Sequence, residues 1–260
     1  MFSGFMLNSW AAATMLAIVA GMVGFFVVIR GASFAAHALP LGTFPGAAAA
    51  GLAGVNPFWG LVGFALLGVA GISRLGRRQR ADVATALTLI TLLGVGTLCL
   101  SLSGQYAASA YALLFGQLLG VSRAALLPVG GICAGICALV LIFFRPLLLS
   151  AISPELAVAR GVHAGRVELL FLALLGLATA MALPVVGALL VFSLLVGPPA
   201  CARALTTRPG VAMALSVVIA LVVIWAAIAL SYESDWPIGF FVGALAAGAY
   251  GLGRAAAMMR

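Results

Sequence analysis

Few residues in this sequence could bind a metal ion or transfer a proton. It contains only two histidines, His37 and His163. His37 lies in the stretch SFAAHALPLGTFPG, between apolar segments and close to Pro40 and Pro45. An imidazole can bind a metal through a ring nitrogen, and it is costly to bury in apolar surroundings without a partner. His37 is therefore either a transient metal ligand or a packing histidine whose ring is satisfied by a backbone carbonyl.

The five carboxylates lie at the ends of apolar runs or between them: Asp82, Glu155, Glu168, Glu233 and Asp235. A carrier driven by protons or sodium ions usually holds carboxylates at mid-membrane, so this distribution gives little support to ion coupling. Glu233 and Asp235, in SYESDWPIG, could attract a cation to an outer mouth or contact a delivering protein; an ordinary solvated loop is the alternative. We expect His163, beside Arg166, to face solvent and not to be a ligand.

The sequence lacks the parts that an energy-converting or hydrolytic site needs. It contains no lysine, so the P-loop motif G-x-x-x-x-G-K-[ST] is absent. Ser33 and Ser193 are not surrounded by a G-x-S-x-G elbow, which argues against an intramembrane serine hydrolase. We therefore predict no catalytic residue and no bound cofactor, and we expect a separate partner to supply energy.

Composition and the apolar runs indicate which kind of secondary structure carries these residues. The chain of 260 residues is 65% hydrophobic and 7% charged, with a mean hydropathy of +1.29, whereas a soluble domain is roughly 25% charged. These values predict an all-α polytopic membrane bundle of about eight to nine spans, since each span requires roughly 20 apolar residues. The candidate spans are 9–29, 57–73, 83–103, 125–148, 167–183, 185–202, 211–231 and 237–253. A further segment, 44–55, is short and is predicted to be a partial or broken helix.

The arginines predict the orientation of the bundle. Alternating the sides of nine crossings leaves only Arg123 on one face. The other face receives Arg30, Arg74, Arg77, Arg78, Arg80, Arg145, Arg160, Arg166, Arg203, Arg208, Arg254 and Arg260. Cytoplasmic loops carry the excess of basic residues, so this face and the C-terminus are predicted to be cytoplasmic, with residues 104–122 and 231–236 outside. The formal charge of +8 is thus a topology signal and does not indicate nucleic-acid binding.

The segment 150–166 is predicted to contain a short capped helix. Ser153 is a suitable N-cap, Pro154 fits the first position, Glu155 fits the first turn, and Gly161 is a typical stop. Its apolar residues include Leu156 and Ala159 on one side, with Val158 beside them. A helix of about two turns is unstable alone in water and needs a surface to pack against. It is either a turn resting on its own bundle or a docking helix for a cytoplasmic partner.

Four stretches resemble motifs of the membrane subunits of bacterial ABC importers for zinc, manganese and related divalent metals. RGASFAAHALPLGTFPG (30–46) is similar to the family's RRMSLMGDALSHAVLPG, and LLFGQLLGVS (113–122) is similar to YLFGDILAVS. SPELAVARGV (153–162) is similar to DPELARALGV. The most specific match is VVGALLVFSLLVGPPACARALT (185–206), which resembles AVGALLVSALLILPAATARLLT.

This resemblance implies a single transmembrane permease domain over residues 1–260 in the bacterial cytoplasmic membrane, surrounded by lipid. It further implies a homodimer of the permease, two cytoplasmic ATPase subunits and an extracytoplasmic metal-binding protein. The short helix then becomes the ATPase-coupling segment, with Ser153, Pro154, Glu155, Leu156, Ala159, Arg160 and Gly161 as its candidate residues. An ATPase-independent carrier or channel for a small solute is the alternative function.

The first of these stretches departs from the family's pattern. The family's Asp stands at the position of His37, and its His stands at the position of Leu41. Residues four apart share a helix face, so the family's pair suits a divalent cation, whereas this chain keeps one imidazole and loses the negative charge. Zinc accepts nitrogen ligands well and manganese favours carboxylate oxygen, so zinc is the favoured cargo and manganese the next.

Overall fold

The computed structural model describes residues 4–76, 81–103 and 123–259. Within these ranges the chain is helical, without a β-strand. The helices, numbered in chain order, are α1 (Gly4–Ile29), α2 (Ser33–Thr43), α3 (Pro45–Leu52), α4 (Pro57–Gly76), α5 (Ala81–Ser103), α6 (Arg123–Ile142), α7 (Phe144–Ile152), α8 (Pro154–Ala159), α9 (Ala164–Val186), α10 (Ala188–Leu205), α11 (Pro209–Ser234) and α12 (Ile238–Met258). The predicted all-α class is confirmed.

Six described helices are long and apolar enough to cross a bilayer. They are Leu7–Ile29, Pro57–Gly76, Ala81–Leu102, Ala164–Val186, Pro209–Ser234 and Ile238–Met258. The bent pair α6 and α7 would make a seventh span. The predicted span 185–202 is occupied by the shorter helix α10. The short segment predicted over 44–55 is present as α3. The predicted polytopic bundle is confirmed, while residues 104–122, which the sequence predicts to be external, lie outside the described residues.

The predicted span 125–148 is occupied by two helices that meet at a bend. The chain bends by 62° where α6 gives way to α7, at Phe143. Pro146 lies in the first turn of α7. It has no amide hydrogen to donate to the Ile142 carbonyl, and it is favoured at the start of a helix, so one helix ends and another begins here.

Helix α1 runs through the centre of the bundle, where glycines allow close approach of its neighbours. A β-carbon at Gly21 would lie 2.6 Å from the Cα atom of Val217 in α11. The same atom at Gly24 would overlap the Leu195 carbonyl oxygen of α10. The buried Ser216 hydroxyl of α11 also donates a hydrogen bond to the Gly21 carbonyl, at 2.8 Å. Small residues of this kind are typical of packed membrane helices.

Glycines also hold the short helix α3 in place. A β-carbon at Gly60 of α4 would overlap the Gly46 carbonyl oxygen of α3, and one at Gly96 of α5 would overlap the Pro45 ring. Helix α3 therefore lies directly against two long helices. Its position is fixed by backbone contact, and it follows α2 with only Phe44 between them.

Candidate functional site

His37 lies on α2 and is half-buried. Its ring meets the Phe192 ring of α10 edge to face, with a centroid distance of 4.9 Å and an interplanar angle of 68°. Leu41 follows one turn later on the same helix. No group of three or more His, Cys, Asp and Glu side chains is arranged to hold a metal ion within the described ranges. His37 is therefore not part of a cluster of three or more possible metal ligands among the described residues.

The predicted short helix is present as α8, and both of its ends are as predicted. The Ser153 hydroxyl accepts a hydrogen bond from the Leu156 amide at 3.3 Å, and Pro154 occupies the first turn. Gly161 has φ of +75°, and the Val162 amide donates to the Ala157 carbonyl at 2.9 Å. A left-handed glycine followed by an amide that bonds back to a carbonyl five residues earlier is a common way for a helix to end.

Helix α8 turns most of its apolar side chains outward. Ala157 is fully buried, whereas 47% of the surface of Leu156 and 62% of that of Val158 are exposed. Glu155 and Arg160 are exposed as well. Only one side of this six-residue helix rests on the bundle, and its two larger aliphatic side chains remain available to another surface.

Glu233 and Asp235 lie together at the end of α11, and both are exposed. Asp235 adopts a left-handed conformation with φ of +56°, which ends the helix. The exposed aromatic residues Tyr232 and Trp236 flank the two carboxylates. The Trp236 carbonyl accepts a hydrogen bond of 2.7 Å from Ser231, which holds the turn.

His163 is exposed, as the sequence predicts, and it directly precedes α9. Two other carboxylates, Asp82 and Glu168, line a cavity of about 170 Å³ together with Arg30. Burial lowers the pKa of Arg30, and the Glu168 carboxylate acts in the opposite direction. Sequence reasoning did not bring these three residues together.

Arg30 also makes contacts that the sequence analysis missed. Its guanidinium donates to the Leu147 carbonyl at 3.0 Å and to the Ser150 hydroxyl, both in α7. Its Cζ atom lies 4.9 Å from the centre of the Phe171 ring in α9. The sequence offered two signals, the position of Arg30 as the first arginine after the first apolar run and its place at the start of the family-like stretch 30–46. Neither identifies its partners, which lie more than 100 residues away in the sequence.

The bundle of long apolar helices, with a capped helix exposed at one end, defines a polytopic membrane protein. Comparison with known families is more specific. The model of the ABC 3 transport family matches residues 3–254. The chain therefore belongs to this family, and the resemblance carried by the four sequence stretches is confirmed.

The relatives of this chain are named as metal transport proteins. The "Manganese transport system membrane protein MntC" of Halalkalibacterium halodurans is 30% identical over 207 residues, which cover 79% of this chain and 71% of that one. The "High-affinity zinc uptake system membrane protein ZnuB" of Haemophilus influenzae is 25% identical over 226 residues, covering 86% and 87%. The solved structure "PsaBC from Streptococcus pneumoniae in complex with Fab" matches with a TM-score of 0.87 and 26% identity, covering 97% of this chain and 91% of that one.

Proposed function

We propose that this chain is the transmembrane permease subunit of an ATP-binding-cassette importer that passes a divalent metal ion from an external binding protein into the cytoplasm. The observation that carries this proposal is the match to the ABC 3 transport family over residues 3–254. The relatives named for manganese and for zinc support the cargo class. Residues 1–260 act as one permease domain, and ATP is hydrolysed by a separate subunit.

The proposed assembly is a homodimer of this chain with two cytoplasmic ATPase subunits and one external metal-binding protein. Helix α8 is the ATPase-docking element, since it exposes Leu156 and Val158 while burying only Ala157 against the bundle. Surface aliphatic side chains on a short helix gain stability when a partner covers them.

The clustering of chain segments that carry arginines supports the proposed orientation. Contacts of Arg30 bring the end of α1 together with α7, which carries Arg145, and with α9, which carries Arg166 near its start. Ala257 near the end of α12 lines a second cavity with Thr206 and Arg208 of the α10–α11 connection. By the positive-inside rule, the arginine-rich segments face the cytoplasm, and the C-terminus faces it too.

We place His37 on the metal path, as a transient ligand that receives the ion from outside and releases it inward. Its half-buried ring and the Phe192 contact support this role. A nitrogen ligand without a neighbouring carboxylate favours zinc over manganese. Weak binding suits a path that must release what it binds. The exposed pair Glu233 and Asp235 would attract the cation, or contact the delivering protein, at the outer mouth.

Metal uptake by His37 variants tests the cargo and the path together. In cells depleted of other zinc and manganese importers, uptake of each radioactive metal is measured and normalised to permease in the membrane. His37→Ala is expected to reduce uptake most strongly at limiting zinc, whereas His163→Ala, a matched control at an exposed position, is expected to leave it unchanged. Equal uptake per molecule by the wild type and His37→Ala would remove His37 from the path.

A further inference from the structure

Arg30 lies at a tight connection between the central helix and the helix that carries His37. Helix α1 ends at Ile29 and α2 begins at Ser33. Gly31 has φ of +65°, and the Ala32 amide donates to the Val27 carbonyl at 2.9 Å. This hydrogen-bonded turn leaves little freedom between the backbone of Arg30 and the start of α2.

The Arg30 side chain reaches the helix that leads into the proposed docking element. It donates to the Leu147 carbonyl at 3.0 Å and to the Ser150 hydroxyl of α7. Leu147 is fully buried and Ser150 is buried, whereas Arg30 is half-buried, so these bonds are partly shielded from solvent. Only Ser153 separates α7 from α8, so a displacement of α8 acts directly on the helix that Arg30 holds.

Aromatic contacts reinforce the attachment of α7 to the end of α1. Phe144, the first residue of α7, stacks on Phe25 with a centroid distance of 6.4 Å and meets Phe26 edge to face at 5.8 Å. Arg30 additionally lies over the Phe171 ring of α9. The guanidinium therefore stands where α1, α7 and α9 meet.

We propose that Arg30 is a positioning residue that couples the docking helix α8 to the His37-bearing helix α2. This inference rests on the proposed importer function. A hydrogen bond persists only while its donor and acceptor stay within about 3.5 Å. When the ATPase moves α8 and α7, either the α1–α2 turn follows or the Arg30 bonds break. In both cases the conformation that α2 and His37 prefer depends on the position of the docking helix α8.

The test uses the complete complex, reconstituted in proteoliposomes with its ATPase and its metal-loaded binding protein. The readout is the number of zinc ions transported per ATP hydrolysed, measured beside the abundance and melting temperature of the complex. We expect Arg30→Met to lower this coupling ratio by about twofold to thirtyfold, the range for residues that transmit coupling between sites. Arg30→Lys keeps one donor group and the charge, so its coupling ratio is expected to lie between those of the wild type and Arg30→Met.

Arg145→Met is the matched control, since Arg145 is an exposed arginine on the same helix, α7. It removes the same charge and is expected to leave the coupling ratio unchanged. Ser150→Ala removes one acceptor of Arg30 without changing any charge. Its effect on the coupling ratio is expected to be smaller than that of Arg30→Met and to vanish in the Arg30→Met background.

A coupling ratio in Arg30→Met equal to that of the wild type would overturn the inference, even if the variant complex were less abundant or less stable. If Arg30→Met yields no complex, Ser150→Ala decides: a normal coupling ratio in that variant would likewise overturn the inference. Failure of the proposed function has a different signature, because the wild-type complex itself would then show no ATP-dependent zinc transport.

Discussion

Replacing Leu156 tests whether α8 is covered by the ATPase. Fully burying a leucine side chain stabilises by about 1.5 to 3 kcal/mol. In the chain alone, 47% of the surface of Leu156 is exposed. A partner that covers this remaining part should therefore gain about 0.7 to 1.4 kcal/mol, so Leu156→Ala is expected to weaken ATPase association by about threefold to tenfold. Leu156→Asp should weaken ATPase association further, because docking would then have to remove water from a carboxylate.

The assay is co-purification and titration of the ATPase against the permease in detergent or nanodiscs. Thr207→Asp is the control for charge, because Thr207 is exposed in the α10–α11 connection and lies outside α8. Thr207→Asp should leave the melting temperature of the permease without its ATPase unchanged, whereas Leu156→Asp should lower it modestly, because about half of the Leu156 side chain already packs on the bundle. The expected pattern is a folded permease that has lost much more ATPase binding than thermal stability.

The opposite pattern would show that the ATPase does not cover α8. If Leu156→Asp binds the ATPase as tightly as the wild type and supports the same transport, then α8 is a turn that packs on its own bundle. If Thr207→Asp weakens ATPase binding as much as Leu156→Asp does, the loss of affinity comes from the added negative charge and not from loss of the apolar contact at Leu156.

Ser153→Ala should lose about 1 kcal/mol of helix capping, so the α8 amides should exchange hydrogen faster; unchanged exchange would show that the cap is unimportant. Gly60→Ala should destabilise the permease by about 1 to 3 kcal/mol because its new methyl meets the α3 backbone. Gly51→Ala meets open space and should stabilise it by about 0.5 to 1 kcal/mol; equal melting temperatures would contradict this packing. His37→Asp should shift uptake toward manganese, and adding Leu41→His should tighten metal binding and slow release; an unchanged zinc-to-manganese ratio would argue against a ligand role.

Local signals predicted α8 because its determinants lie within it or within two residues of its ends. Ser153, Pro154 and Gly161 act on the backbone of their immediate neighbours, so their residue types are sufficient to place the helix and its ends. The bend at Phe143 was missed, although the signal was present. Apolar composition alone does not distinguish one long helix from two, and the proline in FFRPLLL marked where the second begins.

The contacts around the site depend on residues distant in the sequence. Arg30 meets a carbonyl 117 positions away, and neither its residue type nor its neighbours name that partner. Phe192 was part of a recognised motif, yet its contact with His37 depends on how α2 packs against α10. The family resemblance located both stretches, but only the packed bundle shows that their rings meet.

The most direct test of the proposed importer function is zinc accumulation in proteoliposomes that contain this permease, its ATPase and its metal-loaded external binding protein. We expect zinc to accumulate against its gradient only with ATP and an active ATPase. We also expect an ATPase unable to hydrolyse ATP to abolish accumulation while leaving the complex assembled. Zinc entry at the same rate without the ATPase, whether by equilibration or driven by a proton or sodium gradient, would overturn the importer function and identify a carrier or channel.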